Sequence, residues 1–280
     1  MPVFAPTSLD AALTMLQDHP DAHVLAGGTD LMVEVNAGHR RPETVIGLRN
    51  VRELRERRHT AQTLTIGATA TYTELAASDI ASAHPALAAA ARTVGSPQIR
   101  NAGTLGGNVG TASPAGDTLP VLAALDARIV LTSTSREHRT VAWNEFFTGP
   151  KRTSKRPDEL ITAIELPILD SRQDYLKVGT RNAMVISVAG LALVIDVGGR
   201  NVRCALGSVG PVPLRATDAE TWIGSEIDWD DVRIPDPRTY ETFGAMVADA
   251  ARPIDDHRST AAYRRHAIRT LAQRALFRLI

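Results

Sequence analysis

Leu9, Leu13 and Leu16 recur at helical spacing behind Thr7 and Ser8, either of which can cap, and predict a helix over 9–17. Short apolar runs at 22–25 and 44–48 predict strands, and Thr29 or Asp30 can cap a helical turn at 31–35, so the opening is β-α-β-like. Segment 51–59 alternates arginine and glutamate around Leu54 and reads as a solvated connection between subdomains. A β pattern at 63–67 is followed by a helix start at 73–77, an alanine-rich helix at 84–93 and an apolar helix at 119–125. Segments 128–132 and 140–142 read as a hairpin, Trp143, Phe146 and Phe147 as an aromatic core patch, and 160–166 as a strand stopped by Pro167.

The pattern changes after a boundary at 169–173. Strands are expected over 175–180, 185–197 and 201–208, with Gly198-Gly199 as a hairpin turn. Helices at 217–222 and 238–251 precede a long final helix from Ser259, with Ile268, Leu271, Ala275 and Leu279 near one face. Its arginines (264, 265, 269, 274 and 278) read as solvated or intradomain partners, not as a nucleic-acid stripe.

Two glycine stretches stand outside this periodicity. Leu25-Ala26-Gly27-Gly28-Thr29-Asp30-Leu31 follows the apolar run at 23–25. The longer stretch, 101–117, holds five glycines, several hydroxyl residues and one carboxylate. Glycine admits positive φ and close backbone approach, so such segments can turn N–H groups toward an anion. Together they suggest a clamp on a nucleotide cofactor. Asp117 could accept hydrogen bonds from a ribose or another polyol, or simply cap the helix that begins at Thr118.

Composition narrows the classes. Over 280 residues, 31 Lys plus Arg balance 31 Asp plus Glu, which argues against nucleic acid or an anionic membrane as the main partner. The single cysteine, Cys204, excludes an internal disulfide and any iron–sulfur or multi-cysteine zinc site held by this chain alone. No apolar run reaches the length of a membrane span and no secretory leader is evident, so a cytoplasmic location is expected. There is no G-x-G-x-x-G, G-x-x-x-x-G-K, G-x-S-x-G or H-E-x-x-H. The basic stretch 151–156 reads as a solvated linker, with a docking surface for an acidic partner as the alternative.

Ala26-Gly27-Gly28-Thr29-Asp30-Leu31, Thr104-Leu105-Gly106-Gly107-Asn108 and Ala112-Ser113-Pro114-Ala115-Gly116-Asp117, in this order, resemble the FAD-binding medium subunit of molybdenum hydroxylases, the xanthine dehydrogenase and aerobic carbon monoxide dehydrogenase family. Phe4-Ala5-Pro6, Asp158-Glu159-Leu160-Ile161, Ile164-Glu165-Leu166-Pro167, Lys177 with Arg181, and Tyr263-Arg264-Arg265 extend the likeness over nearly the whole chain. The resemblance implies an α+β fold with a vanillyl-alcohol-oxidase (PCMH) type FAD-binding domain over 1–170, in subdomains of about 1–55 and 56–170. A C-terminal domain over 171–280 would add a three-stranded antiparallel sheet and a helical bundle.

It further implies that Val24, Leu25, Ala26, Gly27, Gly28, Thr29, Asp30 and Leu31 bind the FAD pyrophosphate mainly through backbone N–H groups. Thr104, Gly106, Gly107 and Asn108 would continue that cradle, and Asp117 would contact the cofactor. Ile161 and Lys177 would lie near the isoalloxazine, where a cation could stabilise negative charge on reduced flavin. The implied task is electron transfer from a [2Fe–2S] small subunit, itself fed by a molybdenum-cofactor large subunit, through FAD to an external acceptor. A self-contained FAD-dependent oxidase or reductase on the same fold is the alternative, and a scaffold with purely structural glycine turns is the third reading. Copurifying partners separate the first two, and bound flavin separates both from the third.

Overall fold

A computed structural model describes residues 2–134 and 138–280. Its first layer is a three-stranded parallel sheet in the order Val3–Phe4, Val45–Gly47, His23–Leu25. Helix Leu9–Asp18 makes the crossover that parallel strands require. Ser8 Oγ accepts from the Ala11 N–H at 3.2 Å and sets its start. Ala12, Leu13 and Leu16 pack against Ile46, Leu48, Val51 and Leu54 in a small core of their own. The expected opening unit is therefore present.

The second sheet has five antiparallel strands in the order Arg57–His59, Thr63–Gly67, Leu160–Pro167, Arg128–Thr132, Arg139–Ala142. Its core joins Ile66, Ile129, Leu131, Ile164 and Leu166 to the buried helices Pro85–Thr93 and Leu119–Ala124. Segment 51–59 is more ordered than its charge pattern suggested. Leu54 is fully buried, and Arg57–His59 pairs with Thr63–Gly67 as an edge strand whose three side chains are all exposed. Cationic side chains on such an edge oppose pairing with another chain.

The third sheet is antiparallel, with long strands Ser171–Val178, Ala189–Asp196 and Asn201–Gly207. A two-residue strand, Leu214–Arg215, adds a short fourth member to the three expected. The expected boundary at 169–173 runs into the first of these strands. Ala189–Asp196 is buried at every position because both of its faces are covered. Ala189, Leu191, Leu193 and Ile195 face the core built by helices Thr217–Glu226, Arg238–Ala250 and Ala261–Leu279. Ala192 and Val194 face the core of the five-stranded sheet. One strand thus belongs to two cores, and the C-terminal region is fastened broadly to the rest.

Candidate cofactor site

A cleft of about 670 Å³ opens between the parallel sheet and the five-stranded sheet, with part of the C-terminal region at its rim. That volume lies within the usual range for sites holding small molecules and cofactors. Val24, Leu25, Ala26, Gly27, Gly28, Thr29, Asp30, Leu31, Thr104, Gly106, Gly107, Asn108, Asp117 and Ile161 all line it. Residues up to 137 positions apart, Val24 and Ile161, are brought to one cleft; of the expected set, only Lys177 is not part of the lining.

The two glycine stretches reach the cleft in different ways. Strand His23–Leu25 ends in the turn, and helix Leu31–Asn36 begins directly after it. Within that turn the N–H groups of Ala26, Gly27, Gly28, Thr29, Asp30 and Leu31 donate to no other described residue. A concave run of unclaimed main-chain donors is a receptor for phosphate oxygens. Asp30 sits at the N-cap position without a capping bond from its side chain; Met32 N–H donates to the Gly28 carbonyl and Val33 N–H to that of Asp30, so the run of open donors ends at Leu31. Gly28 has φ +73°, and a Cβ on Gly27 would lie 1.9 Å from the Ala102 carbonyl oxygen. The turn therefore has its shape because Gly27 packs directly on the end of helix Pro97–Ala102.

In the longer stretch the amides of 105–108 are already claimed, whereas the Thr104 N–H donates to no other described residue, so of the expected continuation of the cradle only Thr104 keeps a free main-chain donor. Residues Leu105–Thr111 form a helix capped by Thr104. Leu105 N–H donates to the Ala70 carbonyl, and Gly106 N–H to that of Ala68. Gly107 N–H donates to Thr104 Oγ1, and Asn108 N–H to the Thr104 carbonyl. The glycines here serve close packing: a Cβ on Gly106 would lie 2.6 Å from Ala68 Cβ, and one on Gly110 would meet Ile161 Cδ1 at 3.3 Å. Asn108 Oδ1 accepts from Thr118 Oγ1 at 2.6 Å, which fixes its side-chain amide against the lining.

Asp117 is buried and does not cap the helix that follows: its carboxylate turns to the C-terminal region. Lys177 Nζ donates to Oδ2 at 2.6 Å, Tyr175 Oη to Oδ1 at 3.2 Å, and Thr93 Oγ1 to Oδ2 at 3.5 Å. Burial raises the Asp117 carboxyl pKa, while the ammonium of Lys177 and the two hydroxyls pull it back. Lys177 also donates to the Thr93 carbonyl, so its charge is engaged at Asp117 and is not presented to the cleft as a free cation. Ile161 contributes an apolar wall beside a register shift in its strand.

Several lining residues had no signal in the sequence. Tyr72 is buried, and its phenol is raised by burial and then by the charges of Asp117 and Asp30, so it stays a neutral hydroxyl. Lys151 Nζ reaches Glu34 at 2.5 Å across the cleft mouth, and the Lys151 bond holds the Glu34 carboxyl below its usual range. Lys155 Nζ is held by the carbonyls of Arg156 and Glu159, and Arg139 clamps Glu159 with two bonds of 2.7 and 2.9 Å. The basic stretch 151–156 is thus partly folded onto the site through Lys155 and Lys151, while Lys151, Arg152 and Arg156 remain exposed. Met184, Val185 and Ile186 supply an apolar rim from the C-terminal region. Among the described residues no cluster of His, Cys, Asp and Glu could hold a metal, and Cys204 is buried.

Two family models match the chain: FAD binding domain in molybdopterin dehydrogenase over residues 1–169, and CO dehydrogenase flavoprotein C-terminal domain over 174–279. The chain is 32% identical over 273 residues to the glyceraldehyde dehydrogenase medium chain of Sulfolobus acidocaldarius, covering 96% of this chain and 94% of that one. It is 34% identical over 263 residues to the nicotinate dehydrogenase FAD-subunit of Eubacterium barkeri, covering 89% and 88%. Among solved structures, a chain of carbon monoxide dehydrogenase from Hydrogenophaga pseudoflava, in a form lacking the Mo-pyranopterin moiety, superposes with a TM-score of 0.89 at 28% identity. That match covers 100% of this chain and 96% of the other.

Proposed function

The chain belongs to the FAD-binding medium subunits of the molybdenum hydroxylase family, and from that premise we propose that it relays electrons from a [2Fe–2S] partner subunit to an external acceptor through FAD held in the cleft. It is a flavoprotein oxidoreductase subunit, and the bound FAD supplies the redox chemistry. The observation that carries the site assignment is the run of unclaimed N–H donors at 26–31, beside a glycine that admits no side chain.

The chain's own residues then divide the work. The turn at 26–31 holds the pyrophosphate, and the Leu105–Thr111 helix shapes the facing wall by packing closely on Ala68. Tyr72 and Asn108 offer a neutral hydroxyl and an amide to the polar part of the cofactor. Ile161 and the Met184–Val185–Ile186 rim exclude water from its apolar part. With one buried cysteine and no metal cluster among the described residues, the chain depends on partners for iron–sulfur and molybdenum chemistry. Those partners are a [2Fe–2S] small subunit and a molybdenum-cofactor large subunit, and the chain falls functionally into 1–170, with subdomains of about 1–55 and 56–170, and 171–280.

Affinity isolation of the full chain from its own cells, with iron, molybdenum and companion chains assayed, tests the relay. Stoichiometric companions carrying both metals are expected. A chain isolated alone that turns over a substrate by itself would favour a self-contained flavoprotein instead.

A further inference from the structure

We propose that Tyr175 is a positioning residue of the cofactor site: together with Lys177 it holds the Asp117 carboxylate, so that the C-terminal region completes the cleft from behind its wall. This rests on the reading that FAD occupies the cleft. Tyr175 and Lys177 lie two positions apart on strand Ser171–Val178 and therefore share a face. Both reach across to one carboxylate of the FAD-binding region, each taking a different oxygen. Asp117 lines the cleft, whereas neither Tyr175 nor Lys177 does.

Space for the phenol has been made in the neighbouring strand. Gly190 pairs with Lys177 in the sheet register, in a strand whose positions 191–195 all carry apolar side chains. A Cβ there would lie 3.1 Å from Tyr175 Oη. The ring itself packs in the core of the five-stranded sheet, so the hydroxyl is delivered from a fixed body. A buried carboxylate with oriented hydroxyl donors and a cation is fixed in direction, as a preformed hydrogen-bond acceptor must be.

The groups facing Asp117 are Lys177 and Tyr175 from that strand, Thr93 from helix Pro85–Thr93, and Tyr72 from helix Tyr72–Leu75, with Asp30 also acting on Tyr72. Removing one donor lets burial lift the carboxyl further, so the ionised form is lost at a higher pH. The test is the FAD dissociation constant of the full chain, from quenching of FAD fluorescence, measured between about pH 6 and pH 8, where ordinary carboxyls stay ionised. The unmodified chain is expected to bind with a flat profile.

Tyr175→Phe keeps the ring in the core and should weaken binding about threefold to tenfold, with affinity falling further as pH drops. Lys177→Met should show the same slope more steeply. Asp117→Asn, uncharged throughout, should bind weakly with no slope. Gly190→Ala, which crowds the phenol without touching the carboxylate, should resemble Tyr175→Phe. A Tyr175→Phe chain with the affinity and flat profile of the unmodified protein would overturn the positioning role alone. Failure of the unmodified chain to bind FAD would remove the cleft reading and this inference with it.

Discussion

Gly27 and Gly107 are alike in the sequence, yet their surroundings differ. At Gly27 the obstacle is main chain, 1.9 Å from a would-be Cβ, and helix Pro97–Ala102 cannot move aside without dragging the wall of the cleft. Gly27→Ala should therefore purify without flavin and fail to take up added FAD, as absorption near the flavin bands will report. At Gly107 the nearest atom belongs to a single side chain, the capping Thr104 hydroxyl at 2.8 Å, and no main chain intervenes, so Gly107→Ala should retain FAD and cost only about 1 kcal/mol of cap stability by denaturant titration. In the sequence both turns read as amide cradles; the carbonyls that Ala68 and Ala70 supply to the second one are invisible there, because those residues lie more than thirty positions upstream. His84 makes a separate point about pH. It is fully buried with both ring nitrogens unpartnered, and burial lowers its pKa to about 4. The unfolded chain then binds more protons between the ordinary histidine value and that one, so stability falls as pH drops through this window. The loss should reach about 3 kcal/mol and vanish in His84→Leu, measured by urea unfolding at several pH values.

Elements with one clean periodicity were legible, and those recruited by distant partners were not. Helix Leu9–Asp18 and the final helix Ala261–Leu279 follow from their apolar stripes. The apolar run ending at Val197 was readable as a strand, although its burial on two faces depends on which cores meet there. Segments 51–59 and 151–156 are dominated by charge in the sequence; their order comes from the burial of Leu54, from pairing with Thr63–Gly67 and from Glu34 and Glu159. Arg264, one of five arginines in the final helix, shows the same dependence. Its guanidinium is buried and donates to the Val188 and Ser208 carbonyls and to Asp256, each at 2.7 Å, tying the helix to two strand ends. Arg264→Met should lower unfolding stability by about 2–4 kcal/mol, because it strands two carbonyls and a carboxylate. The exposed Arg265→Met should change stability by less than about 0.5 kcal/mol, and equal costs at the two positions would contradict this account.

At the scale of the whole molecule, the cleft exists because three sheets meet at it. The parallel sheet brings the open turn, the five-stranded sheet brings Ile161, and the C-terminal sheet braces Asp117. The order of the glycine motifs made the family and the cofactor legible, since each motif is short but their sequence along the chain is specific. The bracing was not legible, since nothing near Tyr175 in the chain announces a carboxylate 58 positions away. The measurement that bears most directly on the cleft is the FAD content of the purified full chain, from its visible spectrum and from the cofactor released on denaturation, with FAD supplied again to stripped protein. One FAD per chain, absent from Gly27→Ala and retained in Gly107→Ala, is the predicted result. A chain that carries no flavin and binds none, or a Gly27→Ala variant at full occupancy, would contradict it.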